Sequence, residues 1–383
     1  MNPSDPSGSV VFVVVGMHRS GTSMTASMLK QAGVDMGERL IGAEEANPRG
    51  HFEDLDFVRF HEAALAAQGL PLEGYATVDQ VPVAAEWRAK AREFIDARAG
   101  KPLWGWKDPR TTLFLSFWRD LLPDARFIFP YRAPWEVMDS LYRRGDTAFQ
   151  EVPRFALDLW VHYNRAIVAF CDLHPADTLV VEVSSIVEDP GALARGMRDK
   201  FGIILDIPGV LCDRSILRSD VSASGWPAVI GRFFPEATEV YAALQARESV
   251  WNGRRERVAE PHWSAAVAGG APDGLFDDWA RLRGAERTIT QREAEIRKTC
   301  QERDQVAERL RQTEDSLARC REDLARCCCE RERSAVSARE LVAAIDAMRR
   351  TRVWRARSLV LRAFPFMDPA NRQQRRPGAE GSE

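Results

Sequence analysis

The chain has 383 residues, 45% of them hydrophobic and 28% charged, the make-up of an ordinary globular protein with room for one large α/β domain plus appendages or for two average domains. The charge is uneven: residues 1–280 hold 29 Lys and Arg against 39 Asp and Glu, while residues 281–383 hold 24 against 17. An acidic body excludes a nucleic-acid-binding domain, which needs a basic face, so any anion it binds is held in a local pocket.

Residues 1–9 read as a disordered N-terminus without the positive segment and long apolar stretch of a secretion signal. No apolar run approaches membrane-spanning length, and a cytoplasmic location is expected. The seven cysteines fit a reduced compartment: five crowd between residues 300 and 329 with no spacing that suggests a disulfide framework. Adjacent Cys327, Cys328 and Cys329 with no histidine nearby are poorly placed to surround one ion, so no metal is expected.

Residues 10–265 carry mixed strand and helix signals and almost all the tryptophans, and are expected to form the main domain. The opening run VVFVVV reads as a strand buried on both faces of a parallel sheet. Gly16 closes it, Met17 to Ser20 lead to Gly21, and TSMTASMLKQAG has helical spacing with Gly33 as a stop. Strand, glycine-flanked loop and helix together aim backbone N–H groups and the positive end of a helix at a phosphate. A nucleotide-hydrolysing P-loop carries Lys after its second glycine, but here Thr22 stands there and the cation is Arg19, inside the turn. A magnesium-bound triphosphate would be badly served. A 5′-phosphate carrying a small transferable anion would be well served, with Arg19 neutralising the bridging oxygen and His18, Ser20, Gly21, Thr22 and Ser23 around the phosphate.

The stretch HFEDLDFVRFHEAAL supplies Glu53, Asp54, Asp56, His61 and Glu62, with Asp54 expected as a helix N-cap and Asp56 as a first-turn acid. In LWGWKDPRTT, Trp104 and Trp106 are expected in the core, Asp108-Pro109 in a turn, and Lys107 at the carboxyl end of a strand, where open α/β sheets bind ligands. ARFIFPYRAPWEVMDSLYRRG reads as a buried strand closed by Arg132, then a helix with Pro134 in its first turn. Ser140 lies eight residues after Arg132, and Arg144 one turn further along the same face. TLVVEVSS reads as a last strand containing Glu182.

Residues 266–281 read as a linker. Residues 282–350 read as a helical stalk with a seam of Val306, Leu310, Thr313, Leu317, Cys320, Leu324 and Cys327 that weakens on both sides, with Arg303 and Arg331 at core positions. A short or imperfect coiled coil is expected; a solvated single helix held by i,i+4 ion pairs is the alternative. In residues 351–383, arginines interleave with Val353, Trp354, Leu359, Val360 and Phe364 before a disordered tail, a pattern suited to an anionic membrane surface or to the end of the stalk.

GMHRSGTSM resembles the 5′-phosphosulfate loop of the sulfotransferases, whose donor is 3′-phosphoadenosine-5′-phosphosulfate (PAPS), with Arg19 where that family has Lys or Arg. The Arg132 and Ser140 pair resembles the family's grip on the donor's 3′-phosphate, and Arg144 a further phosphate-binding arginine of the tyrosylprotein sulfotransferases. Lys-Asp-Pro also occurs in those enzymes, which implies that Lys107 contacts the sulfuryl group in transit. FED followed by an aromatic-rich helix is similar to the heparan N-sulfotransferases, which implies Glu53 as the base that deprotonates the acceptor, with His61 as the second candidate. His18 is expected to fill shape or touch the acceptor. The resemblance covers residues 10 to about 250 and departs from the family at VVEVSSIVEDP, where Tyr-Glu-Asp-Leu is often found.

The resemblance thus implies an α/β fold with a P-loop-type parallel sheet flanked by helices, followed by the long C-terminal helix or coiled coil. It implies metal-free, in-line transfer of a sulfuryl group from PAPS to a hydroxyl or amine, on an acceptor expected to be a glycan or lipid-linked sugar. Trp87, Trp226, Trp251 and Trp263 are the candidates for stacking on sugars. Self-association through the coiled coil and peripheral membrane contact through the C-terminal segment are the other expected partner relations, with no nucleic acid. A P-loop kinase or NTPase and a non-catalytic coiled-coil assembly protein are the rival classes.

Overall fold

The computed structural model describes residues 9–42, 51–207, 221–249 and 274–368. The expectations for residues 1–8, for Cys212, Trp251 and Trp263, for most of the 266–281 linker and for the tail beyond 368 lie outside the described residues. The chain divides into two compact units, Met1–Gln291 and Arg292–Glu383.

The first unit is built on β1 (Val10–Val14), β2 (Leu103–Lys107), β3 (Arg126–Tyr131) and β4 (Thr178–Glu182), in the order β2-β1-β3-β4 with every pairing parallel. Each strand is apolar along nearly its whole length because helices cover both faces. Alternation divides the side chains: Val11, Val13, Trp104, Trp106, Phe127 and Phe129 enter one core, and Phe12, Val14, Ile128, Leu179 and Val181 the other.

The second of these cores is closed by α1 (Thr22–Gln31), α8 (Val183–Glu188) and α9 (Gly191–Phe201), through residues such as Met28, Leu29, Ile186 and Leu193. The first is closed by α2 (Leu55–Ala67), α3 (Ala85–Asp96), α4 (Leu115–Leu121), α5 (Pro134–Arg144), α6 (Thr147–Glu151), α7 (Phe155–Leu173), α10 (Trp226–Phe233) and α11 (Pro235–Ala246). Local signals set several boundaries. Asp54 caps α2 by accepting from the Asp56 N–H, Pro134 opens α5, and Gly33 follows α1 at a φ of 91°. A 3-10 turn, Pro109–Phe114, follows β2, and Asp108 caps it by accepting from the Arg110 N–H.

A long helix, α12 (Leu275–Arg350), begins inside the stretch read as a linker. Phe276 and Trp279 join the main core: the Trp279 ring stacks on Trp226 at 3.7 Å and its Nε1 donates to Asp139 Oδ1 at 3.1 Å. The heptad pattern starts later, so it gave no sign of this anchor. In the second unit α12 continues with exposed Val306, Leu310, Leu317 and Leu324, and α13 (Arg352–Ala363) follows. The architecture is therefore α/β with a parallel sheet flanked by helices and a long C-terminal helical segment, as the sequence implies.

Candidate active site

Four parallel strands place their carboxyl ends on one edge of the sheet, and that edge gathers the loop after β1, Lys107 at the end of β2, Arg132 after β3 and Glu182 at the end of β4. The loop after β1 turns into α1 at Gly21, whose φ of 81° suits glycine and where an added Cβ would collide with the Val183 side chain. Arg19 also has a left-handed backbone, at a φ of 66°. Such a conformation costs a non-glycine residue about 1–3 kcal/mol and is found where the surroundings hold it in place.

Arg19 Nε donates to Ser140 Oγ at 2.8 Å, and Arg132 Nη1 donates to the Arg19 carbonyl at 3.4 Å. Arg132 Nε is held by Glu136 at 3.1 Å, and Arg144 by Asp146 and the Tyr75 hydroxyl. Among the described residues Arg19 has no carboxylate partner. Burial, then Arg144 and Arg132, push its pKa down to about 10. Three guanidinium groups thus crowd around a loop with more positive charge than the described residues neutralise there, which is the condition of a site suited to an anion.

Two buried polar atoms on the same loop, Ser20 Oγ and His18 Nε2, have no hydrogen-bond partner among the described residues. Buried groups left this way cost stability unless something else meets them, and a phosphate oxygen would. The residues present therefore fit a donor with a 5′-phosphate. His18 packs edge-on to Tyr75 at 5.0 Å, and burial, with Arg144, Arg110 and Lys107 adding to it, holds its pKa well below the ordinary value. His18 is accordingly neutral near pH 7 and feels both charged clusters of the site.

The second cluster surrounds Glu53. Its Oε1 accepts from Lys107 Nζ at 2.7 Å and its Oε2 from Arg110 Nη2 at 3.3 Å. Lys107 is buried and Glu53 half-buried, so this pair is partly withdrawn from water. Phe52, just before Glu53, has a φ of 56°, a second strained residue beside a candidate group. Arg110 also donates to Asp108 at 2.9 Å, and the Asp108 carboxyl, despite its burial, is held far below the usual carboxylate range by Arg110 and His61.

His61 is fully occupied. Its Nε2 accepts from Trp118 Nε1 at 3.0 Å, so Nδ1 carries the proton and donates to Asp108 Oδ2 at 2.9 Å. Burial keeps it neutral. Trp226 is covered by Trp279, and Trp87 is packed against the core with Lys90 over its ring. The sequence reading missed Tyr75, Tyr163 and Asp146 as neighbours of the loop. Tyr163 donates to the Gly74 carbonyl at 2.5 Å and its ring lies 6.1 Å from His18. Nothing in local spacing marks those residues, because helix α7 and the 75–78 segment reach the loop only through the fold.

Among solved structures, the sulfotransferase domain of the Synechococcus PCC 7002 olefin synthase is 16% identical, with 61% of this chain and 93% of that chain covered and a TM-score of 0.39. A sulfotransferase of Mycobacterium tuberculosis is 14% identical over 63% of this chain and 78% of that one, TM-score 0.34. One of Mycobacterium avium is 13% identical over 56% and 68%, TM-score 0.35. Likenesses this low carry no argument about the site. No curated protein matches the chain. The sequence pattern described as "Sulfotransferase family" matches residues 11–206, just over half of the chain and the segment that holds both charged clusters. That match gives the class: the chain belongs to the sulfotransferase family, as a PAPS-dependent sulfotransferase.

Proposed function

We propose that Arg19, Lys107 and Glu53 carry out the transfer, with Arg132, Ser140 and Arg144 gripping the donor's 3′-phosphate and residues 18–23 its 5′-phosphate. The observation that carries this reading is Arg19, half-buried, bonded to Ser140 and lacking a counter-charge among the described residues. PAPS supplies a sulfuryl group on a phosphate leaving group. Arg19 balances charge on the bridging oxygen as the sulfur–oxygen bond breaks, and Lys107 turns from Glu53 towards the sulfuryl oxygens. The Glu53 oxygen released by that movement takes the proton of the acceptor hydroxyl or amine while the new bond to sulfur forms. Glu53 is favoured over His61 because both nitrogens of His61 are already engaged in the core.

For the acceptor we infer a glycan or glycolipid, supported by the likeness of the Phe52-Glu53 segment to the heparan N-sulfotransferases. A catalytic domain over residues 10–265 is supported by the compact unit that ends at Gln291. Among the described residues no helix is long and apolar enough to cross a membrane. The basic, apolar helix α13 supports peripheral contact with an anionic surface, and the seam of α12 supports self-association.

The test is transfer of labelled sulfate from PAPS to a panel of glycans, glycolipids, phenols and amines, paired with calorimetry of adenosine 3′,5′-bisphosphate and of ATP with magnesium. Preference for ATP would overturn the assignment. Glu53→Gln is expected to lower kcat by about 10²–10⁴ with bisphosphate affinity unchanged; an unchanged kcat removes Glu53 from the reaction.

A further inference from the structure

In residues 292–350 one face of α12 repeats every seven residues and is exposed, with Ile296, Leu310, Leu317 and Leu324 at the a positions and Val306 and Leu341 at d. Three arginines interrupt it: Arg292 at d, Arg303 and Arg331 at a. In the structure Arg303 Nη2 pairs with Asp304 Oδ1 of its own helix at 2.7 Å. We propose that this face is covered by a second copy of the same helix, parallel and in register.

The charges choose that occupant. In a parallel pair a residue at a is flanked by the preceding g residue of the other helix, and a residue at d by the following e residue. Those flanking residues are Glu302 for Arg303, Glu330 for Arg331 and Glu293 for Arg292. Every arginine that interrupts the seam thus meets a glutamate of the second copy. Arg309 at g and Glu314 at the next e add an attractive pair, and no g–e pair of this stretch brings like charges together. An antiparallel pair overlapping the same residues sets Arg303 in the layer next to Arg331 of the other helix, which is repulsive. In the parallel pair Cys320 and Cys327 each face their own counterpart across a d layer.

Sedimentation of the full chain at micromolar concentration is expected to show a dimer; a monomer overturns the proposal. Arg303→Glu alone and Glu302→Arg alone are each expected to weaken the dimer about tenfold, because each places like charges in contact twice per dimer, and the two changes together to restore it. Direction is read in a chain whose Cys300, Cys320, Cys327, Cys328 and Cys329 are serine and which carries Ser334→Cys. A mild thiol oxidant, removing two electrons and two protons, joins the two added thiols in a parallel pair. In an antiparallel pair residue 334 lies opposite residue 303, and no link forms. A dimer with no link, or one indifferent to the charge swaps, overturns the parallel register.

Discussion

Arg19 is held in the folded state against two other guanidinium groups, half-buried and in a strained backbone. A side chain kept under those conditions raises the energy of the empty protein and is compensated when an anion arrives. Arg19→Met keeps the bulk and removes the charge. Its expected effect is a fall of about 10²–10³ in kcat/KM with PAPS, read by steady-state kinetics, with an unfolding temperature equal to or above that of the parent. Glu248 shows the same tension away from the loop. Burial and the neighbouring Glu182 push its pKa up to about 7, although Ser185 and the Tyr131 hydroxyl donate to it. A carboxyl whose folded pKa is raised costs nothing below its unfolded value near 4.5, and destabilises progressively as pH rises to about 7. Glu248→Gln is therefore expected to melt with the parent at pH 4.5, and to be more stable by about 1–2 kcal/mol at pH 8 after allowance for its partial exposure. His18 and His61 have lowered pKa values, so their contribution is present above 6.5 and is lost as pH falls below it. The two slopes oppose one another below pH 6.5, and the Glu248→Gln comparison separates them.

Helix α5 carries Ser140 and Arg144 towards the loop on one side and meets the base of α12 on the other. Asp139 is the joint: its carboxylate accepts from Trp279, Arg283 and Arg143, and Arg143 and Arg283 both reach Glu286. Arg287 lies over Gly145, the left-handed residue that ends α5, and donates to the Tyr142 carbonyl at 3.4 Å. The first turns of α12 therefore belong with the element that positions Ser140 and Arg144, the residues proposed to grip the donor's 3′-phosphate. A chain ending at residue 291 is expected to bind adenosine 3′,5′-bisphosphate with full affinity in calorimetry. Trp279→Ala is expected to cost about 3–5 kcal/mol of stability, because it opens a cavity between Trp226 and Tyr142 and leaves Asp139 short of a donor. Equal stability of Trp279→Ala and its parent in denaturant melts would detach α12 from the catalytic unit.

The molecule as a whole divides its charge, with an acidic stretch before residue 281 and a basic one after it. In α13, Val353, Leu359 and Val360 are exposed alongside Arg352, Arg355 and Arg362, and mean charge together with apolar area governs adsorption to an anionic bilayer. The full chain is expected to float with vesicles containing anionic lipid at low ionic strength. A chain ending at residue 350 is not, and raising the salt releases the full chain as screening shortens. Flotation of the truncated chain to the same extent would move the membrane contact elsewhere.

Periodicity and short-range chemistry were enough to determine the strand, loop and helix around Arg19, the cap at Asp54, the first-turn Pro134, the parallel sheet, and the heptad face of α12. All of these depend on neighbours a few residues apart, where backbone geometry leaves few choices. The eight-residue spacing of Arg132 and Ser140 was legible for the same reason. Only the tertiary structure decided that Arg19 bonds Ser140 across 121 residues, that Lys107 meets Glu53 across 54, and that His61 is locked between Asp108 and Trp118. It also decided that α12 starts early and anchors α5. Such meetings depend on strand order and on which helices cover which face, and no local pattern encodes the distance between two charges brought together by a sheet.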